Sequence, residues 1–505
     1  MRIGFLWSKF LLNLCDKVSP LPNRSTFSLV AAFVLTIAIF CYLSFFSFHD
    51  LIYLSELASK NSLSAIEVGN FTLPKQRGSV LLLMMLTLSA LYLWGYAEVR
   101  KAVSKPIPLF AAVGALTLCA IIIAPFDSTD VTAYINQGWL QAHYGVNPYN
   151  TTVTEIASWT SDSFLKQHGV NSPCIYGPLF ALICFFVAAI SQKNYLLMLL
   201  LFKLLNAACH LAITWMVYSG VKQLSSSAKS AQQAAYLYGC SPFMLLHHVA
   251  NAHNDIVLAL FTVLTFYLYL KRKTDFAFLS CLASVGIKYV SVLVLPGVAV
   301  LLYRTAGKRA VLVSALCVVP ALALCLYYFA GVDAKHMHLQ IGHLWLQNGS
   351  LQSVLAEIPN AVPLFSKLSK IALLAVCFVM FRRWLSVDKK LLFHTVLYDS
   401  ILLQCLAMCV FSSRFYPWYL GMVLPLALLL NDNSKLRSFC ITASCFMLFS
   451  LLWFGFTNST LNLIYLFASL VVANLKPFTT DARNDSVRST TSLSSARAVC
   501  RTTSS

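Results

Sequence analysis

The chain alternates between long apolar blocks and short polar joints. Clear blocks run over 27–48, 79–97, 107–126, 174–190, 195–218, 233–249, 254–270, 309–330, 369–381, 391–411, 416–430, 438–456 and 461–475. Apolar residues are continuous within each block rather than alternating, which predicts helices and excludes a β-barrel. A helix of about 20 residues crosses the hydrocarbon of a bilayer. The block 276–303 reads as two short helices back to back, broken near Lys288. The pattern predicts an all-α, polytopic transmembrane helical bundle of about 13 spans. Two long loops, 127–172 and 331–368, fall on one side of it. Parity demands an even number of crossings between loop 127–172 and the helix starting at 254. Three blocks lie there, so one of the three is expected to be short, re-entrant or interfacial.

Composition supports this class. Of 505 residues, 58% are hydrophobic and 11% are charged, against about a quarter charged in a soluble domain. A soluble globular protein is excluded. The net charge of +19 would suggest a polyanion partner on a soluble chain, but its distribution says otherwise. With the N-terminus in the cytoplasm, 24 of the 37 Lys and Arg lie on inner segments and 9 on outer ones, while the acids run the other way. That is an anchoring pattern against anionic lipid, and no nucleic-acid partner is expected. Residues 1–26 form a cytoplasmic segment and 27–475 the membrane domain. The first block follows Arg2, Lys9, Lys17 and Arg24 and reads as a retained anchor. The Ser/Thr-rich stretch 476–505 reads as a disordered cytoplasmic tail. The 16 cysteines include no CxxC pair and read as small core hydrophobes.

Polar residues at the span ends carry the candidate chemistry. Asp127 and Asp130 sit at the outer end of a span, three residues apart, a spacing that shares one helix face. A carboxylate there can act as general base on a hydroxyl, or it can cap the helix that begins there; the pair alone leaves both open. The cluster Asn251-Ala252-His253-Asn254-Asp255 opens another span, preceded by His247 and His248. It serves either as an N-cap or as a donor and acceptor set for hydroxyls. Zinc is not expected, because the histidines lack a partner set at helical spacing. Lys288 interrupts an apolar stretch and either receives a lipid phosphate or snorkels to the interface. Arg414-Phe415-Tyr416-Pro417-Trp418-Tyr419 lies at a further outer junction, where aromatic belts are common but Arg suits phosphate. His336, His338 and His343 lie on the second long loop and are expected at its solvated surface. Asp399 lies inside a span, with Lys203 and His210 on another span as possible facing partners in a structural ion pair.

Several of these segments together resemble a known class. Asp130 precedes Tyr134 by four residues; Gly138-Trp139, Tyr144-Gly145-Val146-Asn147-Pro148-Tyr149 and Tyr176-Gly177-Pro178 follow, and His253-Asn254-Asp255 comes later. The combination is similar to GT-C integral-membrane glycosyltransferases, most of all to polyprenol-phosphate-mannose-dependent mannosyltransferases. The resemblance covers roughly residues 100–430. It implies an acidic base in the first outer loop, Asp130 or else Asp127. It also implies donor-phosphate contacts from Lys288 and Arg414, and sugar or acceptor contacts from His253, Asn254, Asp255, Tyr134, Tyr176 and Tyr416. The implied reaction moves a sugar, mannose, from a polyprenyl-phosphate donor to the hydroxyl of a glycan or lipid acceptor, with inversion and no indicated cofactor, a divalent cation being left open. The implied setting is a bacterial inner membrane, or the ER in a eukaryote, with the site on the outer or lumenal face. A transporter or lipid flippase is the main alternative, although such proteins place ionisable sites near the midplane, often with repeats. A polysaccharide polymerase or ligase is the third; it would take a polyprenyl-diphosphate donor.

Overall fold

The computed structural model describes residues 24–60, 78–101, 106–166, 172–333, 358, 361–412, 415–453 and 459–474. Every regular element among them is helical. In chain order these are α1 (Arg24–Ser59), α2 (Gly78–Lys101), α3 (Ile107–Ile122), α4 (Asp130–Tyr144), α5 (Ser163–Lys166), α6 (Pro178–Ser191), α7 (Tyr195–Ser225), α8 (Ala228–Gly239), α9 (Asp255–Leu270), α10 (Thr274–Ile287), α11 (Leu295–Ala306), α12 (Lys308–Phe329), α13 (Ala361–Ser386), α14 (Lys389–Leu406), α15 (Leu420–Ala427), α16 (Lys435–Met447) and α17 (Ser459–Asn474). A π-helical segment, Met244–Ala250, precedes α9. The expected tail at 476–505, most of loop 331–368 with its three histidines, and Arg414 lie outside the described residues.

The apolar blocks become helices almost one for one, but their lengths differ from the expectation. Six helical stretches are long and apolar enough to cross a membrane: Phe27–Ser59, Ser79–Lys101, Tyr195–Ser225, Tyr289–Ala306, Leu312–Phe329 and Lys389–Phe411. Met244–Ala250 with Asp255–Leu270 adds a seventh if that bent pair is one span. Five more apolar helices are shorter, and a count near 13 depends on elements of that kind. Lipid-facing surface is evident on α12, where only 6% of the Leu312–Phe329 window is buried; so much exposed Leu and Val belongs against acyl chains rather than water.

Of the three blocks in the parity conflict, only the second forms a helix of span length, and the first becomes the 14-residue α6. The run at 233–249 is not one helix. Its first half lies in α8, which ends at Gly239; Pro242 follows, and the π-helical segment then meets α9 at a bend of 111°. π-helical turns carry an extra residue per turn and concentrate at functional sites.

Helix α7 is the axis of the core, with α1, α3, α6, α8, α9 and the π-helical segment packed against it. Two buried polar side chains on α7 hold the site loops together. Lys203 Nζ donates to the carbonyls of Ile123 (2.7 Å) and Ala250. Asn206 Nδ2 donates to the carbonyls of His248 (2.8 Å) and His253 (2.9 Å). This corrects the expected facing of Lys203 and His210 towards Asp399. Asp399 instead accepts from Arg383 (3.0 Å) and Trp384 Nε1 (2.9 Å) on α13, while His210 contacts the Gly239 carbonyl (3.0 Å). Lys203 is drawn to carbonyls freed where α3 and the π-helical segment end, because buried backbone acceptors need donors.

A second close approach sets the other wall. Gly177 N donates to the Ile287 carbonyl (2.9 Å), and a Cβ at Gly177 would sit 2.3 Å from the Gly286 carbonyl oxygen. Only glycine lets the loop before α6 touch the end of α10. Helix α10 then stops at Lys288, which is extended (φ −153°, ψ 131°), so the break expected there is present.

Candidate active site

The loop after α3 and the segment before α9 are stitched together by backbone and amide groups. Asn251 Oδ1 accepts from the backbone N–H of Phe126 and of Asp127 (3.0 Å), and Asn251 Nδ2 donates to the Leu246 carbonyl (2.8 Å). Tyr134 is fully buried, and its hydroxyl accepts from the Asn254 N–H (3.2 Å). Ala252 sits between these anchors at φ +59°, a left-handed conformation that costs a non-glycine residue on the order of 1 kcal/mol. The turn it makes delivers His253 to both aspartates.

The carboxylates and imidazoles form a chain. His247 Nδ1 meets Asp127 Oδ2 at 2.6 Å, His253 Nε2 meets Asp127 Oδ1 at 3.1 Å, and His253 Nδ1 meets Asp130 Oδ2 at 3.2 Å. Asp127 and both histidines are buried, whereas the Asp130 side chain remains 32% exposed. Burial alone would push the Asp127 carboxyl up. The charge and hydrogen bond of His253, with those of His247, more than offset this and hold it at about 2. Asp127 is thus a permanent anion with both oxygens engaged, and Asp130 is the carboxylate with access to the outside.

Helix capping does not account for Asp127, whose two carboxylate oxygens both meet imidazoles. The N-cap of α4 is Thr129 and that of α9 is Asn254, and neither makes a side-chain cap. Asp130 opens α4 and Asp255 opens α9, both at the favourable dipole end. Asp255 accepts from Lys288 Nζ at 2.8 Å, and that ammonium lies 4.0 Å above the Tyr419 ring centroid. Lys288 therefore turns inward to a carboxylate and an aromatic face instead of snorkelling.

Aromatic rings close the site. His253 stacks on Trp418 (centroids 4.1 Å, 14° between planes), and Trp418 stacks on Tyr416 (4.7 Å, 3°). Tyr176 packs edge-on against Tyr134 (5.2 Å) and lies within electrostatic reach of Asp130 and Tyr419. Among the described residues, both amide atoms of Asn254, Asp255 Oδ2 and Trp418 Nε1 are buried with no hydrogen-bond partner.

The structure thus brings Asp127, Asp130, Tyr134, Tyr176, His253, Asn254, Asp255, Lys288 and Tyr416 into one neighbourhood. It adds three residues that the sequence clusters contain but to which no site role was assigned. Asn251 and His247 belong to the same polar run, but the turn at Ala252 hides from any periodic rule that both engage Asp127 or its loop. Trp418 looked like one more interfacial aromatic. The expectation that the histidines lack a metal-ligand set also changes. Asp127, His247 and His253 offer ligand atoms within 4.8 Å of one another, assembled across a break rather than along one helix.

Fold and site together define a multi-spanning helical membrane protein with a carboxylate–imidazole centre at the ends of its helices. Residues 53–304, about half of the chain, match the MptA/B family, described as alpha-(1->6)-mannopyranosyltransferase, N-terminal domain. That half belongs to this family, and the chain is a GT-C mannosyltransferase-like membrane glycosyltransferase, a mannosyl-transfer enzyme. No curated protein matches the chain. Every site residue named above except Tyr416, Trp418 and Tyr419 falls within the matched span.

Proposed function

We propose that the protein transfers mannose from a polyprenyl-phosphate donor to an acceptor hydroxyl at the outer or lumenal face, with inversion at the anomeric carbon. One observation carries this reading. Three consecutive residues, 253–255, touch a carboxylate base on one side and a cation on the other: His253 binds Asp130, and Asp255 binds Lys288. A direct displacement needs this pairing, a proton acceptor on one face of the sugar and a positive charge on the other.

In the proposed step the acceptor hydroxyl oxygen bonds to the anomeric carbon as its proton passes to Asp130. The bond from that carbon to the phosphate oxygen breaks, and the phosphate leaves with the electron pair. Lys288 neutralises the growing charge. An ammonium has three N–H donors, so Lys288 can hold Asp255 and a phosphate oxygen together. Asp127 is a positioning residue that fixes His253. The unpartnered amide of Asn254 supplies a donor and an acceptor for sugar hydroxyls, and the Tyr416–Trp418 stack supplies an apolar face for a pyranose ring. Arg414 is proposed as a second phosphate contact on the strength of its sequence neighbours. The family's description names an alpha-(1->6) linkage, which makes a primary hydroxyl the first acceptor to try.

The test is transfer of labelled mannose from polyprenyl-monophosphate-mannose in membranes carrying wild type, Asp130→Asn or Asp127→Asn. Asp130→Asn should lose transfer by at least about 10²-fold at unchanged expression. Full activity in the doubly substituted protein would exclude the acidic-loop mechanism. Transfer from a diphosphate-linked chain alone would point to a polymerase or ligase.

A further inference from the structure

The contacts around Asp127 contain a conflict that hydrogen atoms alone resolve only at a cost. His247 has an acceptor on each ring nitrogen: the Asp127 carboxylate at Nδ1 (2.6 Å) and the Met447 carbonyl at Nε2 (3.4 Å). His253 is placed the same way, with Asp127 at Nε2 (3.1 Å) and Asp130 at Nδ1 (3.2 Å). A neutral imidazole carries one N–H. Satisfying all four contacts with protons therefore requires two protons beyond those of two neutral imidazoles, held on the buried rings or on the carboxylates they face. His248 lies at 6.3 Å from His253, ring to ring, and both of its nitrogens are buried without a partner.

A second arrangement satisfies all four ring nitrogens of His247 and His253. Each histidine donates outward, His247 Nε2–H to Met447 and His253 Nδ1–H to Asp130. The two inward nitrogens then present lone pairs beside the Asp127 carboxylate. We infer that Asp127, His247 and His253 form a binding site for a divalent transition-metal cation of the zinc class. The three ligand atoms already lie within 4.8 Å of one another. One dication replaces two protons, so the charge of the buried cluster is the same in both arrangements. Two imidazoles and one carboxylate suit zinc rather than magnesium or calcium, which prefer all-oxygen shells. An outward N–H donated to a carboxylate or carbonyl is the usual support for a metal-bound histidine.

A tetrahedral zinc site sets its ligand atoms about 3.3 Å apart. The three ligand atoms lie within 4.8 Å of one another, and the imidazoles meet opposite Asp127 oxygens at 3.1 and 2.6 Å, so the carboxylate has to turn one oxygen towards the ion as the rings close on it. A three-residue set leaves the fourth position for a non-protein ligand. The cation fixes His253 in the tautomer that donates to Asp130, and so orients the proposed base.

The site is tested on the full chain, purified in detergent without chelators, independently of any donor or acceptor. Elemental analysis is expected to find about one equivalent of zinc-class metal per chain. After chelation, titration with Co²⁺ should give the visible absorption of a tetrahedral site, displaced by Zn²⁺. Both signals should be lost in His247→Ala and retained in His394→Ala, a histidine away from the site. Metal-free wild type that gives no Co²⁺ absorption and no thermal shift with Zn²⁺ overturns the proposal, whether or not any variant folds. Inactivity with mannosyl donors alongside a filled metal site would count against the transfer reading alone.

Discussion

At the residue scale, two carboxylates three positions apart have been given different work by their surroundings. Asp127 is buried between two imidazoles; Asp130 touches one of them and keeps an open side. The Asp127 carboxyl sits at about 2, below the usual value near 3.9. A depressed folded-state value stabilises the fold at pH above the unfolded value, and this contribution fades as pH falls through the folded one. The shift corresponds to about 2–3 kcal/mol. In the metal-free protein, unfolding of wild type and Asp127→Asn should therefore differ most near neutral pH, with the gap narrowing between about pH 4 and pH 2. A gap that stays constant through that range would remove the ion pair as its source. Lys288 makes a separate prediction. Lys288→Ala should raise the donor KM and lower kcat, about 10- to 100-fold in kcat/KM, with the acceptor KM little changed. Unchanged donor saturation would take Lys288 out of the phosphate site. Most of these residues could be read from sequence because charged and polar groups at span ends are conspicuous. The pairing could not. Nothing in the spacing of His247 and His253 discloses that a left-handed Ala252 turns both towards one carboxylate.

At the element scale, the site exists because several helices end early. Helix α3 stops at Ile122, the π-helical segment stops at Ala250, and α10 stops at Ile287. The ends converge through contacts that leave no room for side chains. Gly177 is the sharpest case, since its Cβ would collide with the Gly286 backbone rather than with a flexible side chain. Gly177→Ala should push the loop before α6 away from α10, costing about 1–3 kcal/mol and displacing Lys288 from Asp255. The expected signature is a lower Tm together with a raised donor KM. An unchanged KM at lower Tm would make the glycine a packing residue only. Apolar blocks gave the helices and even the break at Lys288. They could not tell a span from a short or bent helix, because hydropathy reports what is buried and not where backbone hydrogen bonding stops. That is why the run at 233–249 looked like one span and is a helix, a proline turn and a π-helical segment.

At the scale of the whole molecule, charge and site lie at opposite ends of the same helix. Asp255 opens α9, and Lys271, Arg272 and Lys273 follow its last turn. Sixteen residues of helix separate them by about 24 Å, most of the roughly 30 Å of a hydrocarbon core. The basic triplet belongs on the cytoplasmic side if the positive-inside rule holds, which carries the carboxylates to the outer one. A prenyl-phosphate sugar would then enter sideways from the bilayer and meet the acceptor at its outer rim. Single cysteines at Ser161 and Arg272 test this directly, since both side chains are exposed. In intact cells a membrane-impermeant thiol reagent should modify Ser161→Cys and spare Arg272→Cys above the background of the native cysteines. Permeabilised cells should show both modified. The reverse pattern would place the carboxylates in the cytoplasm, where nucleotide sugars are the available donors, and the lipid-linked mechanism would lose its reason for an outward-facing base.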